Sequence, residues 1–292
     1  MIYYNSLNSY CQKTFGSKVY KLSLTLSDSC PNRDGTKGYG GCAFCLEGSS
    51  AFAPPYNMPI AQQIEFSKKL VSKKGGEKKY IAYFSAYTST YCPIDRFKEY
   101  LFYVAEREDI VAISLGTRPD CLGEEILEIL NEVNKIKPVW VELGLQTIHK
   151  SSADFINRCS SLSEFDSSIE KLHSLNIKVI LHIILGLPNE SEEMILQTVK
   201  YAADKNVFGI KLQLLHILKG TPFEKLWQAG KIKTMEMDEY ISLLEKCVAL
   251  LPKDMILHRL TGDGDKKNLL SPLWSGDKKR VLGEISKKIT PR

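Results

Sequence analysis

CPNRDGTKGYGGCAFC, running from Cys30 to Cys45, brings three thiols into one loop. The spacings are eleven residues and then two, and no fourth cysteine lies close by in sequence. A closed structural zinc site takes four protein ligands, whereas a redox cofactor can leave one coordination position open for something that reacts. Gly35, Gly38, Gly40 and Gly41 inside the stretch let the backbone turn at positive φ around a bulky inorganic object. The loop reads as a cofactor cradle.

Outward from the loop the chain alternates. Apolar, β-rich runs occur at Val19 to Leu26, directly before the loop, and at Tyr80 to Ser85, Ile110 to Gly116, Val139 to Leu145, Ile177 to Leu185 and Gly209 to Leu215. Between and after them lie helical stripes set by Ile60/Ile64/Val71, Phe97/Leu101/Val104, Ile126/Leu130/Val133, Phe165/Ile169/Leu172, Ile195/Val199/Ala202 and Tyr240/Leu244/Cys247/Leu251. Continuous apolar strands separated by helices imply parallel pairing, either in a doubly wound sheet or in a β/α barrel. In a barrel the loops that follow the strands share one rim. Polar groups collect at those strand ends: Ser85 to Thr90, Gly116 to Asp120, Glu142 to Thr147, Gly186 to Pro188, and His216 with Gly220 to Pro222.

Residues 1 to 17 carry Tyr3, Tyr4, Tyr10 and Phe15, too aromatic for a loose tail, and are expected to pack on the barrel or its mouth. Residues 18 to 255 hold the six strand–helix units. From Ile256 a short strand ends in a polar turn at Asp263, and residues 256 to 292 read as an extension or lid, too short for a separate domain.

Of the 292 residues, 43% are apolar and 25% charged, the balance of a globular chain and not of a disordered one. No apolar run approaches the roughly 18 to 20 residues that span a bilayer, and Met1 to Tyr20 lacks the pattern of a signal peptide, so a cytoplasmic protein without membrane contact is expected. Eight cysteines in a reducing compartment argue for metal or redox chemistry before disulfides. Cys11, Cys92, Cys121, Cys159 and Cys247 are scattered and read as small buried apolar residues. The net charge of +5 is uneven: Lys68, Lys69, Lys73, Lys74, Lys78 and Lys79 form one basic run, and Lys278 to Arg292 another. Such runs suit a solvated helix face or a nucleic-acid backbone.

Thiolates favour Fe–S clusters, zinc and copper(I), and three ligands on a four-iron cluster leave one iron without a protein partner. That iron can chelate the amino and carboxylate groups of S-adenosylmethionine (SAM). Cys30, Cys42 and Cys45 after the first strand of a β/α chain resemble a radical SAM enzyme, with a longer first spacing than the common three-residue one. Further segments, YFSAYTSTYCP, SLGTRPDCL, VELGLQT, ILGLPNES and HRLTGDGDKKNLLSPLW, extend the likeness over nearly the whole chain. Together they resemble the YtqA/YhcC-like family of bacterial radical SAM enzymes, relatives of the radical domain of the eukaryotic elongator catalytic subunit.

The resemblance implies a partial (β/α)6 radical SAM barrel with a short C-terminal extension, a [4Fe–4S] cluster on Cys30, Cys42 and Cys45, and SAM as cosubstrate. It implies that Ser85, Ala86, Tyr87 and Thr88 hold the SAM amino group, and that Thr117, Arg118 and Asp120 lie toward its carboxylate or ribose. Glu142 and Gln146 would face the cavity, and Gly186 and Pro188 would shape its floor near the adenine. Arg118 can equally be a structural ion-pair partner and Glu142 a paired core charge. His216 and His258, at strand ends, are the histidines expected at the cavity. His182 reads as a satisfied core residue, His173 as surface and His149 as loop.

The implied substrate is the carbon-5 side chain of a tRNA wobble uridine, converted from carboxymethylaminomethyl toward aminomethyl by a 5′-deoxyadenosyl radical. The implied partners are a reducing protein such as flavodoxin or ferredoxin and a downstream methyltransferase. With 292 residues, no room is expected for the elongator protein's acetyltransferase domain. Two other readings stay open: the same chemistry on a peptide or small metabolite, and a non-catalytic zinc- or RNA-binding protein with His216 as fourth ligand.

Overall fold

The computed structural model describes residues 2–46, 52–71, 78–262, 264 and 266–291. Lys73, Lys74, Asp263 and Arg292 of the sequence reading lie outside the described residues. In chain order the elements are β1 (Ile2–Ser6), α1 (Leu7–Phe15), β2 (Val19–Leu24), α2 (Ile60–Val71), β3 (Lys79–Phe84), α3 (Ile94–Ala105), β4 (Ile110–Thr117), α4 (Glu124–Ile136), β5 (Val139–Gln146), α5 (Lys150–Phe155), α6 (Leu162–Ser174), β6 (Lys178–Leu185), α7 (Glu192–Ala203), β7 (Gly209–Leu214), β8 (Ile217–Leu218), α8 (Pro222–Gln228), α9 (Met237–Ala249), β9 (Ile256–Arg259), β10 (Leu269–Ser271), α10 (Lys278–Lys288) and β11 (Ile289–Pro291).

All six apolar runs become neighbouring parallel strands, β2 to β7, in sequence order, so the α/β fold is a partial (β/α)6 barrel. The sheet then continues through β9, β1 and β11, again parallel. The first residues and the last thus meet as adjacent strands, with Ile2 opposite Ile289 and Asn5 opposite Ile256. A separate antiparallel ribbon, β8 with β10, lies beyond the strand ends.

Each helix buries the stripe that its sequence offers. Ile126, Leu127, Ile129, Leu130 and Val133 of α4 are buried, with Glu124 and Glu125 in the first turn and Lys135 in the last, where the helix dipole favours them. Ser161 and Glu164 close a capping box at the start of α6. Burying one such Leu or Ile contributes roughly 1.5–3 kcal/mol.

The barrel interior changes character along the strands, because alternate residues share a face. Ile81, Ala112, Trp140 and Ile180 form an apolar bottom layer, closed below by Tyr10 and Phe208. Two residues further along come Tyr83, Ser114, Glu142 and His182, a polar layer. Two further, Ser85, Gly116 and Gly144 leave little side chain at all, and the barrel opens into a cavity.

Four expectations change here. His258 is not on the cavity wall but packs edge-on against Trp140 and Phe208, because the β7–β9 register shifts beside it. His182 points into the cavity instead of the core. Cys11 and Cys247 are buried, but Cys92 and Cys121 are half-buried and Cys159 is exposed, held at φ 53° with its Sγ 3.1 Å from Asn157 Oδ1. The described lysines of the first basic run, Lys68, Lys69, Lys78 and Lys79, lie at the strand starts, outside the cavity lining: Lys68 pairs with Glu65 at 3.1 Å and Asp109 at 2.6 Å, and Lys79 donates to the Phe15 carbonyl at 2.9 Å.

Candidate cluster and cosubstrate site

The cysteine loop is wound tightly on its own backbone. Arg33 N–H donates to Cys30 O at 2.7 Å, Lys37 N–H to Pro31 O at 2.8 Å, Gly41 N–H to Asn32 O at 2.8 Å and Cys45 N–H to Cys42 O at 2.9 Å. Gly41 adopts φ +80°, a conformation that favours glycine, and a Cβ there would sit 2.8 Å from the Arg33 guanidinium carbon and displace that side chain. Arg33 in turn donates to Cys45 O at 2.8 Å. Asn32, fully buried, directs its amide toward Cys42 Sγ at 3.5 Å, and Ala43 N–H is anchored to Ile156 O at 2.9 Å. Cys30, Cys42 and Cys45 all line one cavity of about 520 Å³. Burial, aided by neighbouring Cys45, pushes the Cys42 thiol up to about 12. It therefore ionises only when a cation takes the proton's place.

Ser85, Tyr87, Thr88, Thr117, Arg118, Glu142, Gln146 and His216 line the same cavity. Ala86 is buried behind the wall, and Gly186 and Pro188 lie beyond β6, outside the lining. Asp120 also points away, accepting from Arg118 at 2.9 and 3.0 Å. Arg118 gives two further N–H groups to the carbonyls of Arg158 at 2.8 Å and Cys159 at 3.0 Å, so its guanidinium braces the turn that anchors the cysteine loop. Tyr87 and Gln146 hold positive φ, 52° and 63°, a costly conformation for residues other than glycine that collects at functional sites.

Below the cysteines the polar layer centres on Glu142, whose carboxylate is buried. Oε1 accepts from Ser114 Oγ at 2.7 Å and Lys21 Nζ at 3.3 Å; Oε2 accepts from His182 Nε2 at 2.7 Å, Tyr83 Oη at 3.3 Å and Lys211 Nζ. Burial alone would raise this carboxyl, but Lys21, Lys211 and the His182 bond outweigh it and hold the group well below the carboxylate range. Burial and then the Lys211 charge lower His182 to about 4, against the pull of Glu142. His182 is therefore neutral near pH 7, with its proton on Nε2 toward Glu142 and Nδ1 left as an acceptor.

Sequence reasoning found Glu142 and overlooked Tyr83, His182, Gln213 and Arg259, all on the wall. Strand parity was the available signal for Tyr83, which stands two residues before Ser85, whereas His182 sits on β6, whose expected cavity residues Gly186 and Pro188 lie outside the lining. Arg259 had no such neighbour: it reaches the wall only because β9 pairs with β7, where its Nη1 donates to Gln213 Oε1 at 3.1 Å.

The sequence profile of the Radical SAM superfamily matches residues 25–202, and that of the Radical_SAM C-terminal domain matches residues 207–290. This chain belongs to the Radical SAM superfamily. The radical SAM chain is 41% identical over 290 residues to YtqA of Bacillus subtilis, covering 99% of this chain and 90% of that protein. YhcC of Escherichia coli is 35% identical over 276 residues, covering 94% and 88%. These likenesses place it in the same family as both, as the motifs implied. More distantly, tRNA uridine(34) acetyltransferase of Methanocaldococcus jannaschii is 26% identical over 178 residues, 60% of this chain and 32% of that protein. Among solved structures, the archaeal Elp3 of Methanocaldococcus infernus superposes with a TM-score of 0.66 at 19% identity, covering 92% of this chain and 63% of that chain, a likeness of fold.

The radical SAM family uses a [4Fe–4S] cluster and SAM. The residues present fit that pair: Cys30, Cys42 and Cys45 line one cavity, though among the described residues they do not close round a single metal ion, the loop turns at positive φ at Gly41, and Ser85, Gly116 and Gly144 leave the cavity room above the polar layer. Among the described residues, no helix is long and apolar enough to cross a membrane.

The polar layer gives this radical SAM fold an acid-sensitive step. Unfolded histidine titrates near about 6.5, while folded His182 does so at about 4, so across that window the unfolded chain binds more protons. Stability is then full above the window and falls as pH drops through it. His258, lowered by burial first and by Lys21 next, acts with the same sign. Urea denaturation from pH 8 to pH 5 should show this decline, and replacing both histidines with Asn should flatten it; an unchanged slope would assign the effect elsewhere.

Proposed function

We propose that this radical SAM protein acts in the cytoplasm on tRNA, at the carbon-5 side chain of the wobble uridine, moving carboxymethylaminomethyl toward aminomethyl. Cys30, Cys42 and Cys45 would hold the cluster. Ser85, Tyr87 and Thr88 with Thr117 and Gln146 would surround SAM, and His216 and Glu142 would bound the cavity above and below. When bound, the cluster and SAM supply reductive cleavage to a 5′-deoxyadenosyl radical that abstracts hydrogen. The protein's part is to orient the substrate and keep water and stray donors out. A low-potential protein such as flavodoxin or ferredoxin would provide the electron, and a methyltransferase would act downstream.

The observation that carries the substrate is the relative named for tRNA uridine 34, alignable over 60% of this chain. Nucleoside mass spectrometry of bulk tRNA from a strain lacking this protein tests it. Carboxymethylaminomethyl-uridine should accumulate and its aminomethyl product fall. An unchanged wobble-uridine profile would reject the tRNA reading and leave a peptide or small metabolite as substrate.

A further inference from the structure

One side of the cavity mouth is capped by two stretches of chain, residues 217–234 and 266–280. They are sewn together where Leu218 faces Leu269, where Lys219 N–H donates to Asn268 O at 2.8 Å, and where the Thr234 and Ser271 hydroxyls meet at 2.7 Å. Phe223 N–H donates to Ala43 O at 3.1 Å, joining this cap to the cysteine loop, and Leu218 and Asn268 line the cavity. The two stretches contain nine Lys and Arg residues against two acids, whereas the entire chain nets only +5.

Both acids are used internally. Glu224 accepts from Gly220 N–H at 2.7 Å, and Asp277 accepts from Arg280 N–H at 3.1 Å at the start of α10. Lys219, Lys225, Lys231, Lys233 and Lys266 are exposed and form no ion pair among the described residues. These lysines are dispersed in sequence, which hides the patch from a search for charge runs. Two exposed rings stand on the elements that line the cavity or adjoin the cap through Ala43: Phe52, 64% exposed, on the cavity wall, and Tyr39, 79% exposed, on the cysteine loop. Lysines that neutralise phosphates beside rings on which bases can stack are the two parts of a single-strand nucleic-acid surface. An acidic protein would use the lysines but has no need of the rings.

We infer that this cap is where the phosphate backbone of an RNA loop docks, leading one base into the cavity; the inference rests on the tRNA reading and names its surface. Binding of bulk tRNA to the anaerobically reconstituted protein, measured by filter retention over a salt series, tests it. The variant K219S/K231S/K233S/K266S should lose at least about 10-fold in affinity, and the slope of log K against log salt should shrink by about 3. K69S/K79S, at the strand starts, should stay within about twofold. Iron content and melting temperature equal to wild type confirm that the cap variant is folded.

Wild-type affinity in the cap variant, an equal loss in K69S/K79S, or no tRNA binding by the wild type would overturn the inference. A cap variant that binds tRNA normally but is no longer reduced by flavodoxin would also overturn it, assigning the cap to an acidic reductant. An altered wobble-uridine profile in the deletion strain, together with normal tRNA binding by the cap variant, would keep the tRNA reading and reject only this surface.

Discussion

Cys42→Ala is expected to yield a folded protein that retains far fewer than the about four irons per chain of the wild type and forms no 5′-deoxyadenosine from SAM. The reasoning is local. Cys42 is enclosed by its own surroundings: Asn32 points at its sulfur and burial raises the thiol, keeping it protonated until a cation arrives. The loop backbone does not depend on its side chain, because Cys45 N–H binds Cys42 O and Gly41 N–H binds Asn32 O. A deletion of the thiol should therefore remove metal binding and leave the fold. Iron analysis with circular dichroism separates the two, and an intact iron complement in the variant would remove Cys42 from the ligand set.

Glu142→Gln should be the most destabilising isosteric change in the barrel, by about 3–5 kcal/mol, because it removes the carboxylate that holds a proton on the buried Lys211 against the downward push of burial. Lys211 is 1% exposed at its side chain and loses its carboxylate, and Lys21 loses the same partner. The volume is conserved, so the loss cannot be assigned to a cavity. Lys211→Met in the Glu142→Gln background should recover part of it, since an apolar side chain suits a layer resting on Trp140 and Ile180. Urea denaturation of the single and double variants gives the coupling. A loss below about 1 kcal/mol for Glu142→Gln would mean that the network carries no net charge worth balancing.

The six strand–helix units were legible because apolar periodicity and turn residues agree along the chain: the helical stripes named from sequence are buried except at their last members Val71 and Leu251, which are half-buried, and each apolar run holds a strand. The cysteine loop was legible because its chemistry is contiguous. What escaped was everything that depends on distant pairing. Nothing in Ile2 to Ser6 announces that it will lie between Ile256 and Ile289, and so nothing announced that Arg259 would reach the cavity. His182 and His258 were exchanged for a similar reason: a histidine's face depends on strand register, which a single residue shift reverses. Arg118 was expected toward SAM or, equally, in a structural ion pair: it lines the cavity and also holds Asp120 at 2.9 and 3.0 Å, so the pairing was legible as one of two alternatives.

The account's central claim is that the loop from Cys30 to Cys45 holds a redox cluster that cleaves SAM. Anaerobic reconstitution of the wild-type protein with iron and sulfide, followed by SAM and dithionite, tests it most directly. The account predicts a brown protein with about four irons per chain that releases 5′-deoxyadenosine. A colourless protein that takes up one zinc and leaves SAM intact would contradict it.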